Sequence, residues 1–148
     1  MAKSNSIFNL MVIHHGLLEA LLTVFKDELG KSSQRAAETL DNFQWEFEKH
    51  IFGEEKVIFR LCKQQEPEIC ELVKKMEGEH TVMLNILEEL KKSDLTVENE
   101  AKAKKFYDFL VRHREVEENE LYPRMDQELS DEVKEDIISR IDEIPIKK

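Results

Sequence analysis

The chain has few of the residues that break or staple a backbone. Its 148 residues include only 4 glycines, 3 prolines and 2 cysteines. So few breakers disfavour a fold of short strands and tight turns. The cysteines, Cys62 and Cys70, do not form a CxxC motif. That excludes a disulfide-dense scaffold, and both are expected to be free thiols in a reducing cytoplasm. Positive charge is also scarce: 22 Lys and Arg stand against 32 Asp and Glu, a net charge of −10. Nucleic acid and anionic membrane surfaces select basic patches, so neither is expected as a partner. No apolar stretch reads as approaching the ~20 residues that span a bilayer. The N-terminal segment carries one Lys, and Asn9 breaks its apolar run. It lacks a small-residue cleavage site, does not read as a signal peptide, and leaves the cytoplasm as the expected location.

What the chain does have is charge and amphipathic periodicity. Charged residues make up 36% and hydrophobic residues 41%, a balance that favours long helices with charged outer faces. Ser6 or Asn5 can cap a first helix running to about Leu29, with Gly30 as its stop. Ser32 and Ser33 can cap a second, which should end before Pro67. Pro67 and Glu68 suit the first turn of a third helix, closed near Lys91 and Lys92 by cations that complement the helix dipole. Thr96 can cap a fourth, ended or kinked by Pro123. Ser130 and Asp131 open a short fifth helix, about residues 130–143, whose Val133, Ile137, Ile138 and Ile141 suit a cover for one end of a bundle. The connections look short. The expected fold is therefore all-α, a single domain over 1–148 built as an antiparallel up-down-up-down four-helix bundle with a short C-terminal helix.

The chain also repeats itself. "HIFGEEKVIF" begins at His50 and "HREVEENELY" at His113, 63 residues later. Each copy is His-x3-Glu-Glu followed by matched apolar residues. On a helix, His50 and Glu54 lie one turn apart on one face, as do His113 and Glu117. An imidazole and a carboxylate so placed can grip one metal ion. A second repeat relates "HGLLEALLTVF" at His15 to "HTVMLNILEEL" at His80, 65 residues on. All four helices thus carry a metal-type ligand at matched phase. A carboxylate on such a face is costly to bury unless paired or metal-bound, which favours ligation by Glu54 and Glu117.

Helix one offers two histidines. The apolar moment of Ile7, Met11, Leu18, Leu21 and Phe25 points nearer His14, whereas the internal repeat favours His15, with His14 as the alternate. Glu55 and Glu118 lie about 100° round from the paired glutamates; they are expected to be solvated rather than acceptors for ligand N–H groups. Met76, four residues before His80 on the same apolar helical face, is expected in the core. Tyr107 and Tyr122 could donate hydrogen bonds near the site, but bundle packing is the role expected of them.

The pattern resembles the hemerythrin-like family, or HHE cation-binding domain, from about residue 6 to residue 123. "HREVEENELYP" from His113 to Pro123 fits the family's fourth-helix signature in full, and "HIFGEEKVIFR" departs from it only where Arg60 replaces Pro. The resemblance implies an oxo- or hydroxo-bridged pair of iron ions in a four-helix bundle. His15, His50, His80 and His113 would be terminal ligands, and Glu54 and Glu117 would bridge. Oxygen-carrying members have a second histidine on helix three, where this chain has Met76. Two octahedral irons offer about twelve positions; this set would fill about ten and leave about two open, roughly one on each iron.

The function these readings favour is a non-haem di-iron protein that takes O2, NO or peroxide for binding, sensing or detoxification. Whether it is an enzyme stays open. Mn, Zn or Ni would also suit the donors. A ferritin-like oxidase or iron store is the first alternative; that class uses paired Glu-x-x-His motifs, and only Glu77 to His80 supplies one. A helical interaction module with structural histidines is the second. No protein partner is legible.

Overall fold

The computed structural model describes residues 6–142. Their main elements are α1 (Ile7–Glu28), α2 (Ser33–Gly53), α3 (Pro67–Lys92), α4 (Glu100–Val116), α5 (Tyr122–Glu128) and α6 (Asp131–Asp142), with no strand among the described residues. The fold is an all-α bundle with a short C-terminal helix. The helix-start signals hold where they can be read. The Ser6 and Ser32 hydroxyls accept from the backbone N–H groups of Asn9 and Arg35, at 2.8 and 3.2 Å, and Pro67 opens α3. Thr96 caps a 3-10 turn (Val97–Asn99) that leads into α4. Asn5, the alternative first cap, and residue 143 lie outside the described residues.

Two π turns interrupt the helices, Glu54–Ile58 after α2 and Glu117–Leu121 after α4. The first runs on into a 3-10 stretch, Phe59–Gln64. The second runs directly into α5, so the helical path does not end at Pro123. Pro123 lies in the first turn of α5, where the wider π spacing removes the demand for its missing N–H.

Helices α1 and α2, α2 and α3, α3 and α4, and α4 and α1 pack as neighbours, closing a ring of four. The apolar interior falls into two clusters. One gathers Leu18, Phe25, Phe43, Phe47, Leu87 and Phe106; the other gathers Ile7, Met11, Ile58, Phe59, Met76 and Tyr122. Ile137 and Ile141 of α6 are buried in the second cluster, and α6 packs on α1 and the first π turn. It covers that end of the bundle, as its apolar spacing implied. Met76 is fully buried, as expected.

Two expectations are overturned. Cys62 and Cys70 are not free thiols: they form a disulfide, with Cα atoms 5.0 Å apart. It ties the 3-10 stretch to the start of α3. Helix α1, moreover, is long and apolar enough by length and composition alone to cross a bilayer. Its inner stripe, Ile7, Met11, His15, Leu18, Leu22 and Phe25, is buried in the bundle, and Ile13, Leu17 and Val24 on its outer side are exposed.

Candidate metal centre

Six polar side chains lie in the layer between the two apolar clusters: His15 on α1, His50 at the end of α2, Glu54 in the first π turn, His80 on α3, His113 on α4 and Glu117 in the second π turn. Each is at most 6% exposed. The helical one-turn spacing does what the sequence promised, setting His50 Nε2 3.3 Å from Glu54 Oε1 and His113 Nε2 2.9 Å from Glu117 Oε2. Across the bundle, His15 Nε2 approaches Glu117 Oε1 at 3.0 Å and His80 Nε2 approaches Glu54 Oε1 at 3.0 Å.

These atoms sort into two nests, His15, His50, Glu54 and Glu117 in one and His80, His113, Glu54 and Glu117 in the other. Within each nest the ligand atoms lie within 4.8 Å of one another. Glu54 and Glu117 belong to both. The inner Nε2 atom of every one of the four histidines is buried without a hydrogen bond, as are both oxygens of Glu54. Close approach without hydrogen-bond geometry is what donors show when they converge on a shared point rather than on each other. Groups buried in this way cost free energy unless something else satisfies them.

Three of the four outer ring nitrogens are held, and His50 Nδ1 is buried without a hydrogen bond. His15 Nδ1 lies 2.7 Å from Glu118 Oε2, His80 Nδ1 2.8 Å from Glu55 Oε2, and His113 Nδ1 2.7 Å from Glu79 Oε1. Each carboxylate accepts from Nδ1–H and so turns Nε2 inward as the donor atom. Glu55 and Glu118 are therefore not merely solvated, contrary to expectation. Their recurrence in both repeats was the available signal. Glu79 had no such signal, since the matching position of the repeat, 65 residues earlier, is His14.

Tyr122 also departs from the packing role expected of it. Its hydroxyl donates to Glu117 Oε1 at 3.1 Å. Ordinary α spacing would put residue 122 about 140° away from residue 117. The π turn instead bonds the Tyr122 N–H to the Glu117 carbonyl and stacks the two on one face. The first π turn does the same for Phe59 over Glu54, and the Phe59 ring stacks on His80 with centroids 5.9 Å apart. Tyr107 stays away from the site, beneath the Lys26 ammonium.

His14 is half-buried outside the nests, its ring centroid 5.8 Å from that of His50. The internal repeat thus identified the histidine that faces inward, and the apolar moment misled because Leu21 is only partly buried while Leu22 is fully buried.

Charge balance shapes the protonation of the metal-free site. Burial lowers the pKa of His15, but Glu117 and Glu118 outweigh it and raise it to about 9. Burial likewise opposes His80, which Glu117, Glu54 and Glu55 push up to about 12. His113 is raised by Glu117 against the pull of burial. Burial works to raise both central carboxyls; the adjacent histidines overcome it, lowering Glu54 and holding Glu117 well below the ordinary range. His14, with burial first and His50 second, is lowered to about 4.

A family model described as the hemerythrin HHE cation binding domain matches residues 6–125. No curated protein and no solved structure gives a significant match.

Proposed function

The chain belongs to the hemerythrin HHE cation-binding family, and from that premise we propose a non-haem di-iron protein that takes O2, NO or peroxide for binding, sensing or detoxification. One observation carries the reading: four inner imidazole nitrogens, buried and without hydrogen bonds, surround two carboxylates shared between two nests. That donor set fits two cations bridged by Glu54 and Glu117. His15 and His50 would hold one, His80 and His113 the other. Mixed imidazole and carboxylate donors suit iron, and accept Mn, Zn or Ni as well. Iron held there would supply redox capacity and open coordination positions for a small ligand.

The chain's own residues do the rest. Glu118, Glu55 and Glu79 fix three imidazoles in orientation and tautomer. Tyr122 holds one oxygen of Glu117 by hydrogen bond. The apolar clusters on either side keep bulk water from the layer. A ferritin-like site is less well supported, because Glu77 of the lone Glu-x-x-His does not join either nest. A metal-free structural module would leave the buried nitrogens unsatisfied.

The test is NO titration of anaerobic, iron-loaded protein. A saturable optical change is expected. The double variant His50→Ala/His113→Ala should lose both the iron and the change. Full iron content in that variant, or no response to NO, O2 or peroxide, would contradict the proposal.

A further inference from the structure

The two halves of the bundle anchor matching aromatic residues in different ways. The 63-residue offset that relates His50 to His113 also relates Phe59 to Tyr122 and Cys62 to Met125. Each aromatic closes a π turn over its glutamate. Tyr122 is fixed twice, by its hydroxyl on Glu117 at 3.1 Å and by helix α5, which begins with it. Phe59 has no hydroxyl, and it opens a 3-10 stretch rather than an α-helix. Its ring lies flat against that of His80, 6° from parallel, and so forms a wall of the His80–His113 nest.

A covalent tie stands where the second half has a helix. Side chains three residues apart eclipse in a 3-10 helix, so Phe59 and Cys62 share one edge of the stretch. Cys62 is bonded to Cys70 near the start of α3, the helix that carries His80. The bridge therefore fastens the edge bearing Phe59 to the helix bearing the ring that Phe59 covers. Gln65, next along that edge, adds no anchor, since both ends of its amide are buried without a hydrogen bond. The fold itself does not call for the bridge. Met125, at the position matching Cys62, is buried without one, and the two apolar clusters draw together all four long helices. Access to the pair is one-sided: Cys62 is buried, whereas Cys70 is half-buried against the second cluster.

We propose that Cys62 and Cys70 are a redox-active pair that exchanges with small disulfides and thiols, and that its bridge holds Phe59 against His80 while its opening releases that wall of the nest. Closure starts at the accessible Cys70. Its thiolate attacks one sulfur of a small disulfide, forming a mixed disulfide and expelling one thiolate. The Cys62 thiolate then attacks the Cys70 sulfur, which closes the bridge and expels the second. Two thiols of the chain are oxidised, one external disulfide is reduced to two thiols, and the protons of the chain's thiols pass to the leaving thiolates. Opening is the reverse exchange with an external dithiol.

The full chain is equilibrated in glutathione buffers from fully oxidised to fully reduced, and its free thiols are counted by alkylation and mass spectrometry. The folded chain should show none at the oxidised end and both at the reduced end, and should return on re-oxidation. Proton NMR of the chelated chain then reads the wall, because a ring stacked on His80 shifts its ring protons upfield. Reduction should remove that shift and leave the His15 ring protons, in the other nest, where they were. Cys62→Ser/Cys70→Ser should lack the shift in every buffer, and Phe59→Leu should make the His80 signal indifferent to the buffer. A bridge that resists the dithiol in the folded chain, thiols that stay alkylatable in every buffer, or a His80 signal equal in both states of the unaltered chain would overturn the proposal. So would a change shared equally by His15, which would mark a general loosening. Neither readout requires bound metal.

Discussion

At the scale of single residues, the carboxylates behind the histidines carry much of the design. A carboxylate on Nδ1 fixes the ring and raises its basicity. Glu118→Gln and Glu55→Gln are each expected to weaken metal binding by about 10–100-fold, measured by competition with a chelator, while the metal-free fold persists. Unchanged affinity would mean that these contacts do not tune the site. Protonation gives a second prediction. In the metal-free protein His15 and His80 are raised from 6.5 to about 9 and about 12. Their contribution to stability is full below pH 6.5 and fades as pH rises through those values. His14, lowered to about 4, acts in the opposite sense only below pH 6.5. Between pH 7 and 9, therefore, the melting temperature of chelated protein should fall. Metal binding requires deprotonated imidazoles and releases protons, so the stabilisation gained on adding metal should grow over the same range. A flat profile in both forms would contradict the charge assignment.

At the scale of elements, the informative features are the two π turns and the Cys62–Cys70 bridge. Hydrophobic periodicity, caps and Pro67 made α1 to α4 legible, because those signals are local. The buried histidine and glutamate pairs of the two nests were legible because His50 and Glu54, like His113 and Glu117, keep ordinary one-turn spacing. Tyr122 and Phe59 were not, because the π turns shift the helical phase between the glutamate and the aromatic residue. Glu79 was hidden for another reason: it does not recur in the repeat, whose matching position is His14. The disulfide was hidden because a spacing of eight residues is no signature, and only the fold brings α3 back against the 3-10 stretch. Loop-closure entropy for so short a span is worth about 2–3 kcal/mol. Cys70→Ser is expected to lower unfolding stability by about that amount in urea titration. No loss under oxidising conditions would show that the bridge does not constrain the chain.

At the scale of the whole molecule, a polar layer splits the core in two. Phe25, Phe43, Phe47 and Phe106 lie on one side and Phe59, Tyr122, Met76 and Met11 on the other. The layer between them contains two carboxylates that are fully buried and four histidines that are nearly so. Such a layer opposes folding unless its groups are satisfied. The bundle thus makes sense as a container whose contents belong to its stability, since a ligand bound only by the folded state stabilises that state by mass action. The acidic exterior, with net charge −10, keeps the outer faces solvated around that centre.

If the layer is the di-iron centre proposed above, iron per chain reports it. Elemental analysis should be done on protein made in iron-supplemented cells and purified without oxygen. The two nests predict about two iron ions per chain. A well-folded protein carrying one zinc, or no metal at all, would contradict the proposed di-iron centre.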